Sequence, residues 1–337
     1  VQIAVTGGTG YLGAHVVRGL LNAGHQVRLL AEPGWDNPEL LRRLSELGSI
    51  TVLEGDVRES DTVATLLDNS DALLHAASVV GTDNRRENLM WEINALATES
   101  ILRQAHGRGL DPIVTINSYS SLFSPAVPVI GPDTPTAAGR SSYAKTKGYA
   151  DRAARRLQDE GAPVVITYPS SVVGPAFMTA PGITEQGWAP IIRAGVAPRL
   201  RHAGMMMVDV RDISDVHIAS MQPGRGPKRY VCGGVMLSFD EMICALEAGS
   251  GRRIRRIPVT GGMFRALGRI ADAVGNLLPL GAGFSFEAAQ LLTAAIPTDD
   301  SRTLAELGVT WRSPREAIIA TFAHRSGEEP CGTPASG

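Results

Sequence analysis

Val5-Thr6-Gly7-Gly8-Thr9-Gly10-Tyr11-Leu12-Gly13 lies between an apolar run, Gln2 to Thr6, and an amphipathic stretch, Tyr11 to Ala23. A glycine-rich turn between a strand and a helix brings backbone N–H groups against a phosphate, and the helix N-terminus adds favourable partial charge. Gly7, Gly10 and Gly13 satisfy a G-x-x-G-x-x-G spacing, while Gly8, Gly10 and Gly13 satisfy G-x-G-x-x-G. In either register the turn, with Tyr11 and Leu12 opening the helix, is a seat for the pyrophosphate of a dinucleotide. Glu32 follows the next apolar run, Gln26 to Ala31. A carboxylate there accepts hydrogen bonds from ribose hydroxyls and repels a 2′-phosphate, so NAD is expected in preference to NADP. Asp36 is a neighbouring rival for that role.

Outward from this turn the alternation continues. Strand-like apolar runs at Ser49 to Glu54, Ala72 to His75, Pro112 to Asn117 and Pro163 to Tyr168 are separated by helical patterns at Ser60 to Leu67, Asn88 to His106 and Ser142 to Glu160. Strands apolar on both faces and alternating with helices predict an α/β protein with a Rossmann-type, doubly wound parallel sheet. After Tyr168 the chain becomes rich in Pro and Gly, with strand-like returns near 205–217 and 229–232. Helical patterns resume at Phe239 to Ala248, Met263 to Leu278, Phe286 to Ala295, Thr303 to Leu307 and Pro314 to Ala323. The expected organisation is a dinucleotide-binding domain over 1–168, a smaller interleaved C-terminal substrate lobe over 169–325, and a flexible polar tail over 326–337.

Composition narrows the function classes. The 337 residues are 44% apolar and 20% charged with a net charge of -2, the balance of a globular enzyme. The basic residues are scattered among acids, which argues against a nucleic-acid partner. Three widely spaced cysteines (Cys232, Cys244, Cys331) and seven unclustered histidines suggest neither a disulfide framework nor a metal site. The longest uncharged run, Gly161 to Thr184, is interrupted by Pro163, Pro169, Pro175 and Pro181, so no membrane span is expected. No secretory leader is visible ahead of the first strand, and a cytoplasmic location is expected.

Tyr143-Ala-Lys-Thr-Lys147 opens a helical stretch, and a spacing of four sets the tyrosine and the second lysine on one face. A phenol ordinarily titrates near about 10, and a neighbouring ammonium would favour its ionised form, making Tyr143 a proton shuttle during hydride transfer. With six tyrosines and only three lysines in the chain, random placement would give one such pair with a probability on the order of 5%. Ser118 ends the fifth strand pattern, where the ligand crevice of a parallel sheet opens, and its hydroxyl is a candidate partner for the reacting oxygen. Ser120 is the alternative register.

These motifs resemble the extended short-chain dehydrogenase/reductases, also called the NAD-dependent epimerase/dehydratase family. The resemblance extends to Glu54-Gly-Asp56-Val57, His75-Ala76-Ala77-Ser78, Asn94, Tyr168-Pro169-Ser-Ser171-Val-Val-Gly-Pro175 and Val208 to Asp212. It implies that Asp56 and Val57 contact adenine and that His75, Ala76 and Ala77 line the cofactor cleft. It further implies that Asn94 is an active-site asparagine, that Tyr168, Pro169 and Ser171 flank the nicotinamide, and that Lys147 also binds the nicotinamide ribose. Homodimers through paired helices are common in the family.

Departures from the family pattern point to simple hydride transfer. Sugar-nucleotide dehydratases carry an Asp-Glu pair after the active-site hydroxyl residue, where this chain has Tyr119, Ser120 and Ser121. UDP-sugar epimerases carry a diphosphate clamp where this chain has Ser170-Ser171 and Met205-Met206-Met207. The Pro169 to Pro175 stretch is more similar to the dihydroflavonol-reductase and hydroxysteroid-dehydrogenase branch, which implies a bulky, largely apolar small-molecule substrate. Phe177, Met178 and Trp188 are candidates either for that pocket or for the core of the small lobe. A nucleotide-sugar epimerase and a non-catalytic NAD-sensing regulator are the alternatives, and retention of Tyr143 and Lys147 counts against the regulator.

Overall fold

The computed structural model describes residues 1–81, 86–274 and 285–325. Its central sheet has seven strands in the order β10-β6-β5-β4-β1-β2-β3. They are β1 (Gln2–Thr6), β2 (Gln26–Ala31), β3 (Ile50–Glu54), β4 (Ala72–His75), β5 (Ile113–Ile116), β6 (Val164–Pro169) and β10 (Lys228–Cys232), and every pairing is parallel. This is the doubly wound arrangement that the alternating pattern predicts.

Alternation along β1 shows why the strands are apolar throughout. Ile3 and Val5 join one core layer with Val16, Val17 and Leu20 of the helix Tyr11–Asn22, while Ala4 joins the other with Leu66, Ile101 and Leu157. At β1 neither face meets water, so neither tolerates a polar side chain without a partner.

A smaller lobe is built on two minor sheets, one of β7 (Ser171–Val173), β9 (Gly204–Asp209) and β11 (Val235–Ser238), the other of β8 (Val196–Arg199) and β12 (Arg255–Pro258). Here the structure corrects an expectation. The strand-like run near 205–217 does not return to the central sheet: β9 pairs with β7 and β11, and Val210–Ser220 is a helix. Asp209 accepts from Arg211 N at 2.8 Å and so caps the helix directly at the end of the strand. That helix packs on Tyr11–Asn22, where a Cβ on Gly19 would lie 2.2 Å from Ile218 Cδ1. Among the described residues, only β10 returns to the large sheet after β6.

Short helices at Pro38–Ser45 and Ile183–Ala194 also escape the sequence pattern. The first follows a turn-like Asn37-Pro38, which acts as cap and first helical residue, and the second carries Pro190 inside it. The helical pattern Met263 to Leu278 is realised as Gly261–Val274, its remainder lying outside the described residues, as do the expected tail 326–337 and Cys331. Trp188 is buried in the small-lobe core with Met207, Leu237 and Phe239 and is not a pocket residue. Phe177 packs beneath Arg18 and His15.

Candidate active site

The glycine turn shows a close approach that only glycine allows. Gly7 has φ +71, and a Cβ there would lie 2.5 Å from the backbone of Ala76 and Ala77 at the end of β4. A Cβ on Gly13 would lie 2.0 Å from Gly7 O, and Gly10 N donates to that same oxygen at 3.2 Å. The structure thus uses the Gly7, Gly10, Gly13 register, whereas a Cβ on Gly8 would meet the core side chains of Leu29 and Val17. The helix Tyr11–Asn22 has no side-chain cap at Gly10 and no acid in its first turn. Its first N–H groups are therefore suited to a phosphate, and the cradle fits a dinucleotide.

Around the cradle several sequence expectations change. His75 does not line the cleft: its ring is buried, bonded through Nδ1 to Thr6 Oγ1 at 2.8 Å and through Nε2 to Thr98 Oγ1 at 2.9 Å. Burial pushes its pKa down to about 3, so the ring is neutral and acts as a brace between β1 and the helix Thr98–Gly107. What β4 presents to the glycine turn is the backbone of Ala76 and Ala77. Tyr11 donates its hydroxyl to Gly174 O at 2.7 Å, tying the turn to the loop after β7. Leu12 packs partly into the core beside the sheet. Asp56 is held below the usual carboxylate range by the Arg58 guanidinium, which donates to both of its oxygens, and Val57 packs against the core. Glu32 stands exposed just past the end of β2.

The helix Ser142–Asp159 begins where Ser141 Oγ accepts from Ala144 N at 3.0 Å, which fixes Tyr143 in its first turn and Lys147 one turn later. Lys147 Nζ donates to Ile116 O at 3.1 Å, sits 6.0 Å from the Tyr143 ring centroid, and is only 5% exposed. Burial lowers its pKa to about 8. Tyr143 is pushed up to about 12 by burial, and a hydrogen bond with the Ser118 hydroxyl pulls the other way. The expectation that the ammonium would dominate is therefore corrected. Desolvation of the phenolate wins in the free enzyme, and Tyr143 rests as a protonated acid.

Ser118 is the residue beside Tyr143, and Ser120 stands behind it, donating from N at 3.2 Å and from Oγ at 3.0 Å to Ser118 Oγ. Those two bonds leave the Ser118 proton free to point at the phenol or a bound carbonyl.

The Asn94 and Tyr168 side chains are both buried and bonded within the protein. Asn94 is buried in a π-helical turn, Trp91–Ala97. Its Oδ1 accepts from Val79 N at 2.7 Å and Ser78 Oγ at 3.1 Å, and its Nδ2 donates to Val79 O at 2.9 Å. It therefore positions the segment after β4. Tyr168 is fully buried and donates to Asp151 Oδ1 of the helix Ser142–Asp159 at 2.6 Å. Pro169 ends β6, paired with Cys232, and Ser171 donates its hydroxyl to Met205 Sδ at 2.8 Å.

One residue that sequence reading missed is Glu287, on the helix Phe286–Ala294. Its Oε2 accepts from Ser141 N at 2.5 Å, across 146 positions of sequence, and its charge raises the proton affinity of Tyr143. No local pattern distinguishes it from any acid in the first turn of a helix. Glu287→Gln keeps the acceptor and removes the charge, so the Tyr143 phenolate should form at lower pH. The pH profile of alcohol oxidation, which needs that phenolate, should move toward acid; an unmoved profile would contradict the assignment.

The NAD dependent epimerase/dehydratase family matches residues 3–233 of this chain. A protein of Synechocystis sp. provisionally named dihydroflavonol 4-reductase is 25% identical over 93% of this chain and 91% of its own length. Sterol demethylase protein B of Methylococcus capsulatus is 23% identical over 95% and 98%. Among solved structures, a UDP-glucose-4-epimerase from Stenotrophomonas maltophila with bound NAD shares the fold, with a TM-score of 0.76 at 17% identity over 97% of this chain and 98% of its own. The family match runs from β1 through the glycine turn and the Tyr143–Lys147 helix to the end of β10, and this protein belongs to the NAD dependent epimerase/dehydratase family, the extended short-chain dehydrogenase/reductases.

Proposed function

We propose that this enzyme moves hydride between NAD(H) and a secondary alcohol or ketone on a bulky, largely apolar substrate. The observation that carries the reading is the cluster of Ser118, Tyr143 and buried Lys147, followed at Tyr119 to Ser121 by no carboxylate that could eliminate water. Gly7, Gly10, Gly13, Tyr11 and Leu12 would hold the dinucleotide phosphates, with Ala76 and Ala77 at its flank and Lys147 within reach of the nicotinamide ribose. Bound NADH supplies the hydride. Ser118 orients the carbonyl oxygen, Tyr143 delivers its proton there, and the Lys147 ammonium offsets the negative charge left on the phenol oxygen.

The apolar substrate class rests on the lack of a diphosphate clamp around Ser170 to Ser171 and Met205 to Met207, and on relatives named for flavonoid and sterol chemistry. A panel of hydrophobic ketones, steroids and aryl aldehydes scored for NADH consumption, set beside UDP-sugars scored for formation of the epimer, tests it. Turnover of UDP-sugars alone would replace this reading with epimerisation.

Glu32 carries the cofactor preference. NADH should support faster reduction than NADPH, and Glu32→Ala should narrow that ratio by roughly tenfold, the worth of one charged contact. A wild-type preference for NADPH would refute the role given to Glu32.

A further inference from the structure

The loop 174–182 begins and ends on Tyr11, the first residue of the helix that offers its N-terminus to the phosphates. At its start Gly174 O accepts from the Tyr11 hydroxyl at 2.7 Å, and at its end Gly182 lies so close to the Tyr11 ring that a Cβ there would sit 2.8 Å from Cε1. Between them, His15 Nε2 donates to Pro175 O at 2.9 Å, and Arg18 Cζ sits 4.9 Å from the Phe177 ring centroid. Tyr11, His15 and Arg18 follow at spacings of four and three, so the loop runs along one face of the helix Tyr11–Asn22. Its midpoint is fastened elsewhere: Asn37 Nδ2 donates to Met178 O at 2.8 Å. Asn37 stands five residues beyond Glu32. The loop therefore reaches from the phosphate seat to the segment that follows β2, the same span as the link between the phosphates and the adenosine ribose.

Both roots of the loop belong to the small lobe. The strand β7 ahead of it pairs with β9, and the helix Ile183–Ala194 behind it places Trp188 in the core of that lobe. The tip is held lightly. The Asn37–Met178 bond is exposed to solvent, and Met178 holds a left-handed backbone, φ +53, that a residue with a side chain disfavours. Opening the tip gives up one solvated hydrogen bond and relieves one strained residue, the balance required of a segment that opens repeatedly.

We propose that the loop 174–182 is a strap across the dinucleotide groove, that Asn37 is the positioning residue that latches it, and that the latch releases whenever the cofactor exchanges. The inference rests on the placement of the dinucleotide given above and is independent of which substrate is reduced. The two polar atoms of the Asn37 side chain do separate work. Its Oδ1 caps the helix Pro38–Ser45 by accepting from Leu40 N at 3.0 Å, while its Nδ2 holds the strap. Asp and Ser both keep the cap, and both lack the amide donor.

Stopped-flow fluorescence of NADH binding to the intact protein tests it. In Asn37→Asp and Asn37→Ser the association and dissociation rates should both rise by about 2- to 10-fold, the worth of one hydrogen bond, while Kd stays within about twofold and Tm is unchanged. Faster exchange in both directions marks a gate, because an open strap admits the cofactor as readily as it releases it. The charge introduced by Asp would by itself slow association of anionic NADH, and the neutral Ser variant separates that effect from the latch. Wild-type rates in Asn37→Ser would overturn the proposal. So would faster dissociation with unchanged association, which would make the loop a fixed wall that only contributes contacts. A wild type that binds no NADH would overturn the cofactor placement and the strap with it.

Discussion

Tyr143→Phe should lower kcat/KM for carbonyl reduction by about 10²- to 10⁴-fold, the range for loss of a positioned general acid, while NADH affinity stays within a few-fold of wild type. The ring and its packing survive the change, and only the hydroxyl that meets Ser118 is lost. Steady-state kinetics with a hydrophobic ketone, paired with NADH binding by fluorescence, separates the two quantities. A variant that retains most of its turnover would remove Tyr143 from the proton transfer. The same site sets a pH limit. Tyr143, at about 12, stays protonated across the working range, whereas Lys147, at about 8, gives up its charge as pH rises through that value. Loss of the ammonium leaves the developing phenolate uncompensated, so reduction should slow above about pH 8 and hold steady below it.

Gly13→Ala should damage both the fold and the cofactor site. The added Cβ would sit 2.0 Å from Gly7 O, and backbone cannot swing aside as a flexible side chain would. The helix Tyr11–Asn22 must then back away from the turn. Overpacking of this kind costs about 1–3 kcal/mol of stability, visible as a lower Tm. Moving the helix N-terminus also lengthens the hydrogen bonds it can offer a phosphate, and losing one charge-assisted bond of about 1.5–3 kcal/mol weakens NADH binding at least tenfold. Wild-type affinity and Tm in this variant would mean that the turn is looser than its geometry indicates.

Much of this was legible in the sequence because it depends on local signals. The central strands are short apolar runs bounded by helical patterns, and the glycines of the turn fall at spacings that packing and phosphate binding both demand. Tyr143 and Lys147 stand out because lysine is scarce in this chain. The misreadings have a common cause, which is that side-chain direction and strand partnership are decided by distant parts of the chain. His75 belongs to a motif at the end of β4, yet the pleat turns its ring inward to Thr6 and Thr98. Tyr168 is the last residue but one of β6, and the same alternation sends its hydroxyl to Asp151. The apolar run of β9 looks like a core strand of either sheet, and only its register with Met236 and Val172 assigns it to the small one. Glu287 reaches Ser141 through the packing of the two lobes, which no local pattern encodes.

Transfer of label from NADH deuterated at the transferable C4 position tests the central claim most directly. With a hydrophobic ketone that the enzyme reduces, the account predicts deuterium on the carbinol carbon, one NADH consumed per alcohol formed, and loss of both in Tyr143→Phe. Conversion of a UDP-sugar to its epimer without net oxidation of NADH, and with no ketone in the panel reduced, would contradict it.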